Sequence, residues 1–494
     1  MEEGWDFRSI NTGSTLTTIV STFLSFALSI LTSVTLPPPL QSALFCSSGN
    51  TMKSSNKESS DQQEGVKPQD VVSLSEGKTI DGLNEMERQL TEAGEAKYHR
   101  LGWKRLTIML IVEAIALGSL SIPSAFATLG MFVGVLSCVG IGFIAIYTSY
   151  VIGQVKLAFP SIRHYGDAGT LMMGRFGYEL FTAMFFLQLV FVTGSHCLTG
   201  TIAFQHITGS GICSLLFSGV SAVILLLLAI PSSFSDVAIL GYIDFASIII
   251  AIGITIIGTG IEGTNATGGL GAVNWSVWPK EAISFSEVFV AISNIVFAYS
   301  FATCQFSFMD EMHTPREFTK SIWVLGLLEI VIYTITGATI YAFVGSEVKS
   351  PALLSADLIV SKVAFGMALP VIFISGSINT IVAGRLIHSR VYRKSVTRYV
   401  NTTKGWITWI ILISFITILA WIIAEAIPFF SDLLGIASAL FTSGFSFYWP
   451  PVMWYLLIRK GNWWSKKICS SQLSTYLFSF SALWSSWEVC ILPL

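Results

Sequence analysis

Glycine, serine and proline residues stand close together in the hydrophobic stretch 113–130, which reads EAIALGSLSIPSAFATLG. Gly118 and Pro123 both disfavour a regular helix, because proline lacks a backbone donor and glycine adds flexibility. In a membrane, backbone groups freed in this way must face protein or a watery cavity, since lipid forms no hydrogen bonds. The stretch therefore predicts a binding site made of main-chain groups, with a simple proline kink as the alternative.

A second interruption is predicted in the hydrophobic segment 286–312, which reads SEVFVAISNIVFAYSFATCQFSFMDEM. Its centre, 298–303, is rich in small and polar residues, although it contains no proline. Paired interruptions at corresponding positions of two inverted halves are typical of the binding site of a secondary transporter.

The composition indicates a polytopic membrane protein. Of the 494 residues 52% are apolar and only 12% are charged, whereas soluble domains carry about 25% charged residues. The net charge of −2 gives no reason to expect a nucleic-acid partner. The six His and seven Cys form no metal-binding spacing, and no nucleophile–base pair or phosphate loop is recognisable, so we expect neither an enzyme nor a metal site.

The chain divides into four regions. Residues 1–46 hold an uncertain hydrophobic segment, which is an extra membrane helix, an uncleaved anchor or a wrongly predicted gene start. Residues 47–104 have the composition of a disordered cytoplasmic tail. Residues 105–460 form a transporter core of ten helices, and 461–494 hold a weak eleventh helix and the C-terminus.

Eleven segments are predicted to cross the membrane, most of them near or above the roughly 20 residues that a bilayer requires. They lie at about 106–130, 132–157, 178–206, 212–230, 237–261, 286–309, 321–344, 354–384, 406–425, 431–457 and 473–492. Spans one to five and six to ten divide the core into two halves. An odd number of spans in each half gives the two halves opposite topologies.

Basic residues set the orientation. If the segment before the first span is cytoplasmic, the later cytoplasmic loops carry fifteen Lys and Arg residues. The external loops then carry only Lys280 and Lys349. The positive-inside rule therefore places the N-terminal tail in the cytoplasm.

Two motifs resemble the amino acid/auxin permease family of the APC superfamily, and fungal neutral amino acid permeases in particular. The stretch 113–130 is similar to the first helix of that family. The runs NIVFAYS at 294–300 and MDEMHTPREF at 309–318 resemble its sixth helix and the following loop. The resemblance implies an all-α, LeuT-type fold with a 5+5 inverted repeat, about 11 transmembrane helices, broken helices 1 and 6, and transport of amino acids.

An amino acid offers a carboxylate and an ammonium group, and two broken helices are expected to bind both. The half-helix that begins near Pro123 would direct its free N–H groups at the carboxylate. We expect that cradle to consist of Gly118, Ser119, Leu120 and Ser121. Carbonyl groups at the end of the first half of helix 6 would hold the ammonium, at Phe297, Ala298, Tyr299 and Ser300. Tyr299 and Phe301 are expected to shape the side-chain pocket or else to pack between helices.

Ionisable residues within the spans are candidates for proton coupling or gating, because charge is expensive to bury in a membrane. They are Glu113, Asp244 and His196. The competing interpretations are a structural hydrogen bond for Glu113 and helix packing for His196. Ser377 and Thr380 in helix 8 are candidate contacts for a cation or substrate, with helix packing as the alternative.

These observations lead to the hypothesis of a proton-coupled symporter of neutral amino acids that works by alternating access. The expected partners are the amino acid and the lipid bilayer. No cofactor is expected beyond the coupling proton, and sodium remains open as the coupling ion. The plasma membrane is the expected location. Alternatives of the same fold are a vacuolar transporter and a receptor that senses amino acids.

The orientation is directly testable with epitope tags. A tag inserted in the loop 262–284 should be labelled on intact cells, because that loop is predicted to be external. A tag beside Arg393 should be labelled only after permeabilisation. Labelling in the reverse pattern would show that the charge distribution does not set the topology.

Overall fold

The described part of the chain is a bundle of α-helices without a strand. The computed structural model describes residues 102–459, except 210, 212, 233, 266–268, 280–282, 393–396, 398, 399 and 401, and gives the backbone alone at 112 and 234–240. The hydrophobic segment 1–46, nearly all of the tail 47–104 and the predicted eleventh helix therefore lie outside the described residues.

Twelve α-helices form the described core, and short 3-10 and π-helical turns join some of them. In chain order they are α1 (Trp103–Leu129), α2 (Met131–Ala158), α3 (Tyr165–Thr208), α4 (Ser214–Leu228), α5 (Phe234–Asn265), α6 (Phe285–Ala298), α7 (Gln305–Asp310), α8 (Phe318–Val344), α9 (Leu358–Val391), α10 (Thr403–Ala426), α11 (Phe430–Ala437) and α12 (Trp449–Met453). The π-helical turns Ser438–Thr442 and Gly444–Tyr448 connect α11 to α12, and the π-helical turn Trp454–Ile458 follows α12.

Helices occupy all ten predicted spans of the core. Seven are long and apolar enough to cross a membrane, and the bent pair Phe430–Thr442 and Gly444–Ile458 makes up to eight within the described residues. Helices α4 and α6 are apolar but shorter. Helix α3 starts before its predicted span because it includes a first stretch that ends in a bend at Gly174, where φ is 67°. Glycine tolerates this left-handed conformation without a steric penalty.

The predicted break in the first helix is wrong, because α1 is one helix with Pro123 inside it. Proline withholds only one backbone donor, the one that the Ser119 carbonyl would otherwise accept. The neighbouring serine hydroxyls hydrogen-bond within the same helix: Ser119 donates to the Ile115 carbonyl at 2.7 Å and Ser121 to the Gly118 carbonyl at 3.0 Å. The serine hydroxyls thus bond within α1, and the uninterrupted helical backbone keeps the N–H groups of residues 118–121 in intrahelical hydrogen bonds.

The predicted break in the sixth span is present. Helix α6 ends at Ala298, a 3-10 turn covers Ser300–Ala302, and α7 begins at Gln305. The last carbonyls of a helix lack intrahelical partners, so a buried end needs outside donors. The Tyr333 hydroxyl of α8 lies 3.1 Å from the Ala298 carbonyl and 2.8 Å from the Ala114 carbonyl of α1. This tyrosine therefore ties the break to both neighbouring helices.

A second tyrosine, Tyr165, hydrogen-bonds to the backbone on the α7 side of the break. The Tyr165 hydroxyl of α3 lies 3.3 Å from the Ala302 carbonyl and 2.7 Å from the Phe445 carbonyl. Gln305 at the start of α7 is held to α2, since its amide nitrogen donates to the Ser149 carbonyl at 2.9 Å and its amide oxygen accepts from the Ser149 hydroxyl. The irregular backbone is thus satisfied by side chains of packed helices rather than by lipid.

Helices α1 and α6 pack closely where Gly118 faces Ala298. A Cβ atom at Gly118 would lie 2.8 Å from the Tyr333 hydroxyl oxygen and 2.9 Å from the Ala298 Cβ. Helices α3 and α9 form a second close pair. Small residues at such crossings allow membrane helices to approach, so the structure assigns Gly118 to helix packing.

Gly118→Ala should therefore lower the thermal stability of the purified protein. Overpacking of a tight contact destabilises by about 1–3 kcal/mol, more than the roughly 1 kcal/mol that replacing glycine gains within a helix. Gly140→Ala in α2 is the matched control, because an added Cβ there meets nothing within 4 Å. The melting temperatures of the two variants and the wild type in detergent give the comparison. Equal melting temperatures would contradict the packing role.

Candidate functional site

A nearly closed cavity lies beside the break, between α1, α3, α6 and α9. In this conformation its volume is about 10 Å³, room for about one water molecule, so a larger occupant requires the surrounding helices to move apart. One part of its wall is apolar, from Leu117, Leu189, Val192 and Phe297. The remaining lining residues are polar: Glu113, Gln188, His196, Ser300, Thr303 and Asn379. Polar groups that converge on one cavity together with apolar residues are a usual feature of a small-molecule site, although here the polar residues are the majority.

Several polar atoms at this cavity have no hydrogen-bond partner among the described residues. They are the Glu113 Oε2, the Gln188 Oε1 and the His196 Nδ1 atoms. Buried polar atoms are nearly always satisfied, so unpartnered atoms around one cavity indicate a place for a polar ligand. The Cys304 thiol, which belongs to the break, is within hydrogen-bonding reach of the Glu113 carboxyl group.

The structure brings only part of the predicted site to the cavity. Glu113, His196, Phe297 and Ser300 line it. The predicted carboxylate cradle does not: Gly118, Ser119, Leu120 and Ser121 are absent from its lining, because the continuous helix keeps their N–H groups paired. This correction follows from the missing break in α1.

Three residues predicted at the end of α6 point elsewhere. The Ala298 carbonyl accepts from Tyr333, as described above. The Tyr299 ring packs edge-on against Tyr333, with ring centres 5.2 Å apart, and reaches Gly142 of α2. Phe301 is fully buried and is not part of the lining. Aromatic packing between helices, the alternative for Tyr299 and Phe301, describes their positions better than a side-chain pocket.

The remaining candidates lie away from the cavity. Asp244 is buried in α5, and neither of its carboxylate oxygens has a partner among the described residues. Ser377 donates to the Ile374 carbonyl of its own helix at 2.7 Å. Thr380 lies 3.4 Å from the hydroxyl of Thr193 in α3. Ser377 therefore bonds within its own helix and Thr380 contacts α3. Their neighbour Asn379 lines the cavity.

Sequence reasoning missed Gln188. Gln188 is one of two glutamines in the predicted span 178–206, and a polar residue in a transmembrane segment is itself the signal that would have found it. His196 was identified, and its Nε2 atom lies 3.3 Å from the Ser375 hydroxyl of α9. The same Ser375 hydroxyl lies 3.4 Å from the Glu113 carbonyl of α1. His196 thus takes part in a polar connection of three helices beside the cavity.

Ion pairs close the predicted cytoplasmic end of the bundle. Asp310 of α7 pairs with Lys156 of α2 at 2.8 Å and lies 3.8 Å from Arg163. Glu311, which is 1% exposed, pairs with Arg385 of α9. Arg385 is six residues beyond Asn379, so this layer lies about 9 Å below the cavity along the helix. Asp310 and Glu311 are thus both paired with basic residues of neighbouring elements.

His164 lies beside these ion pairs, next to the N-terminus of α3. Burial lowers the pKa of its imidazole to about 4, although Asp167 and Asp310 act in the opposite direction. The imidazole is therefore neutral at cytoplasmic pH while this end is closed. Its Nδ1 atom lies 3.4 Å from the Ser307 hydroxyl of α7.

A multi-pass helical bundle with an interrupted helix and an enclosed, half-polar cavity defines a membrane transporter. The family model described as "Transmembrane amino acid transporter protein" matches residues 99–492. The chain belongs to this family, and it is a multi-pass amino acid transporter rather than an enzyme.

Relatives and solved structures agree with this assignment. The chain is 63% identical over 380 residues to the "N amino acid transport system protein" of Neurospora crassa, covering 76% of this chain and 81% of that protein. It is 27% identical over 365 residues to a "Transmembrane transporter" of Fusarium pseudograminearum, covering 74% and 77%. The fold is similar to that of MHP1, a nucleobase-cation-symport-1 family transporter, with a TM-score of 0.51, 13% identity and coverage of 81% of this chain and 92% of that one. The LeuT-type fold expected from the sequence is thereby confirmed.

The ion pair of Glu311 with Arg385 should control access to the cavity from the cytoplasm. Arg385→Gln removes one member of a buried pair, a change that costs roughly 3–5 kcal/mol, so the closed state should lose population. We expect thiol reagents applied to inside-out vesicles to label the buried Cys304 at least tenfold faster, measured by peptide mass spectrometry. Lys320→Gln is the control, since Lys320 forms an exposed pair with Glu317. Unchanged Cys304 labelling in Arg385→Gln would rule out the gate.

Proposed function

We propose that this protein is a proton-coupled symporter of neutral amino acids that works by alternating access in the plasma membrane. The observation that carries the proposal is the enclosed cavity beside the break, where one carboxyl group, Glu113, faces an apolar wall. Membership of the family supports an amino acid as the substrate. The residues that line the cavity support a neutral side chain and a proton as the coupling ion.

The lining favours an uncharged substrate side chain. A cationic side chain would need a carboxylate that stays ionised, whereas the one carboxyl group is proposed to carry the coupling proton, and an anionic side chain would need a Lys or Arg. The lining contains one carboxyl group and no Lys or Arg. The apolar residues from α1, α3 and α6 suit an aliphatic or aromatic side chain instead.

Glu113 is the residue best placed to bind the coupling proton. The Glu113 carboxyl group is buried and no Lys or Arg lines the cavity to balance its charge, so withdrawal of water on closure favours the neutral acid. Opening to water restores the hydration of the carboxylate and allows the proton to leave. A second buried carboxyl group, Glu329 of α8, lies close enough to Glu113 to interact with it electrostatically. Repulsion between the two further favours a proton on one of them.

The Glu113→Gln variant tests this coupling, because glutamine imitates the protonated acid permanently. The variant should bind and exchange substrate across the membrane but should not accumulate it against a gradient, and its uptake should lose pH dependence. Labelled exchange and net uptake into proteoliposomes at two external pH values measure both properties. Glu347→Gln is the control, because Glu347 is exposed and lies outside the cavity lining.

Accumulation with unchanged pH dependence in Glu113→Gln would exclude Glu113 as the coupling residue. Asp244→Asn and a variant of His196 would then be examined next.

Uptake of a labelled amino-acid panel in cells, with and without a protonophore, tests the substrate class and the coupling ion. Insensitivity to the protonophore together with dependence on sodium would contradict proton coupling. Vacuolar rather than surface labelling of a tagged protein would contradict the location.

A further inference from the structure

The amide of Gln188 in α3 is held in a fixed orientation at the cavity. Its side chain belongs to a residue that is 1% exposed. The Nε2 atom lies 2.9 Å from the hydroxyl oxygen of Thr442 and 3.3 Å from that of Thr303. The Oε1 atom has no partner among the described residues, and Gln188 lines the cavity. One edge of the amide is therefore anchored, and the acceptor edge remains available.

Both anchors come from irregular segments of backbone. Thr303 belongs to the break that follows α6, and Thr442 ends the π-helical turn Ser438–Thr442. Extra-wide π-helical turns occur often at functional sites, where they reposition side chains. Two threonine hydroxyls from separate elements hold one end of the amide, so the other end, the Oε1 atom, is buried beside the cavity without a partner among the described residues.

We propose that the Oε1 atom of Gln188 accepts a hydrogen bond from the α-ammonium group of the substrate, and that Gln188 thereby selects compounds that carry a protonated amine. This inference rests on the proposed function, because it takes a neutral amino acid as the occupant. Among neutral amino acids the ammonium is the donor that every member shares, since the carboxylate only accepts. Glu113 Oε2 is the other unpartnered carboxyl or amide oxygen at the cavity, on the α1 side.

A neutral amide has a specific advantage beside a carboxyl group that exchanges protons. When Glu113 is protonated it no longer attracts the ammonium as an ion, whereas the Gln188 oxygen accepts a hydrogen bond in either state. The amide also replaces the predicted acceptor at the end of α6, because the Ala298 carbonyl already lies 3.1 Å from the Tyr333 hydroxyl. Recognition of the amine is thus assigned to α3 rather than to the main chain of the break.

The test compares two ligands that differ only in the amine. Dissociation constants of alanine and of propanoate, its deaminated analogue, are measured by competition against labelled alanine on the purified full-length protein. Gln188→Leu should weaken alanine binding about ten- to a hundredfold, as expected for one hydrogen bond to a charged group, and should change propanoate binding less than about twofold. Thr442→Val, which removes an anchor and keeps the oxygen, should give an intermediate loss for alanine alone.

Gln205→Leu is the matched control, since Gln205 lies in the same helix outside the cavity lining. Equal weakening of alanine and propanoate in Gln188→Leu would overturn the proposal, because it would show a purely structural bridge. Selective loss against alaninamide rather than propanoate would also overturn it, since the amide nitrogen would then contact the carboxylate. If the wild type itself does not bind alanine, the proposed function fails together with this inference, and that result appears before any variant is made.

Discussion

The whole architecture depends on the satisfaction of backbone groups where the sixth span is interrupted. A bilayer offers no hydrogen bonds, so carbonyls released at the end of α6 must find partners inside the protein. Two buried tyrosines meet this need, Tyr333 from α8 at the Ala298 carbonyl and Tyr165 from α3 at the Ala302 carbonyl. The surrounding helices are therefore held at the positions where these two hydroxyls reach the break.

The same interruption creates the cavity. Where the helix stops, Ser300 and Thr303 take the place of a regular apolar face, and Gln188 and Glu113 approach them from α3 and α1. Each polar group is either anchored to another helix or left open towards the cavity. The lining thus combines carboxyl, amide and hydroxyl groups with four apolar residues, which suits a small zwitterion with an uncharged side chain.

The first span contributes differently from what its sequence suggests. It is a continuous helix that packs through Gly118 against Ala298, and it exposes Glu113 rather than its main chain. Below the cavity, the ion pairs of Asp310 and Glu311 connect α7 to α2 and α9. Because α7 follows the break directly, this short helix connects the segment beside the cavity to the charged layer.

The sequence alone determined the membrane class, the ten core spans and the interruption of the sixth. The bilayer imposes hydropathy and span length, and both can be recognised from short stretches of sequence. Whether a helix continues through a weak point was decided by tertiary structure. The first span contains Pro123 and still remains helical, since its serine hydroxyls bond within the helix and α6 packs against it.

The cavity was likewise decided by the fold. Gln188 is one amide in an apolar span, and its place at the site depends on Thr303 and Thr442, which are 115 and 254 residues away in the chain. Contacts across such distances leave no periodicity or motif near Gln188. Glu113 and His196 were recognisable from sequence because ionisable groups within a membrane span are rare, whereas the position of Gln188 follows only from how the helices pack.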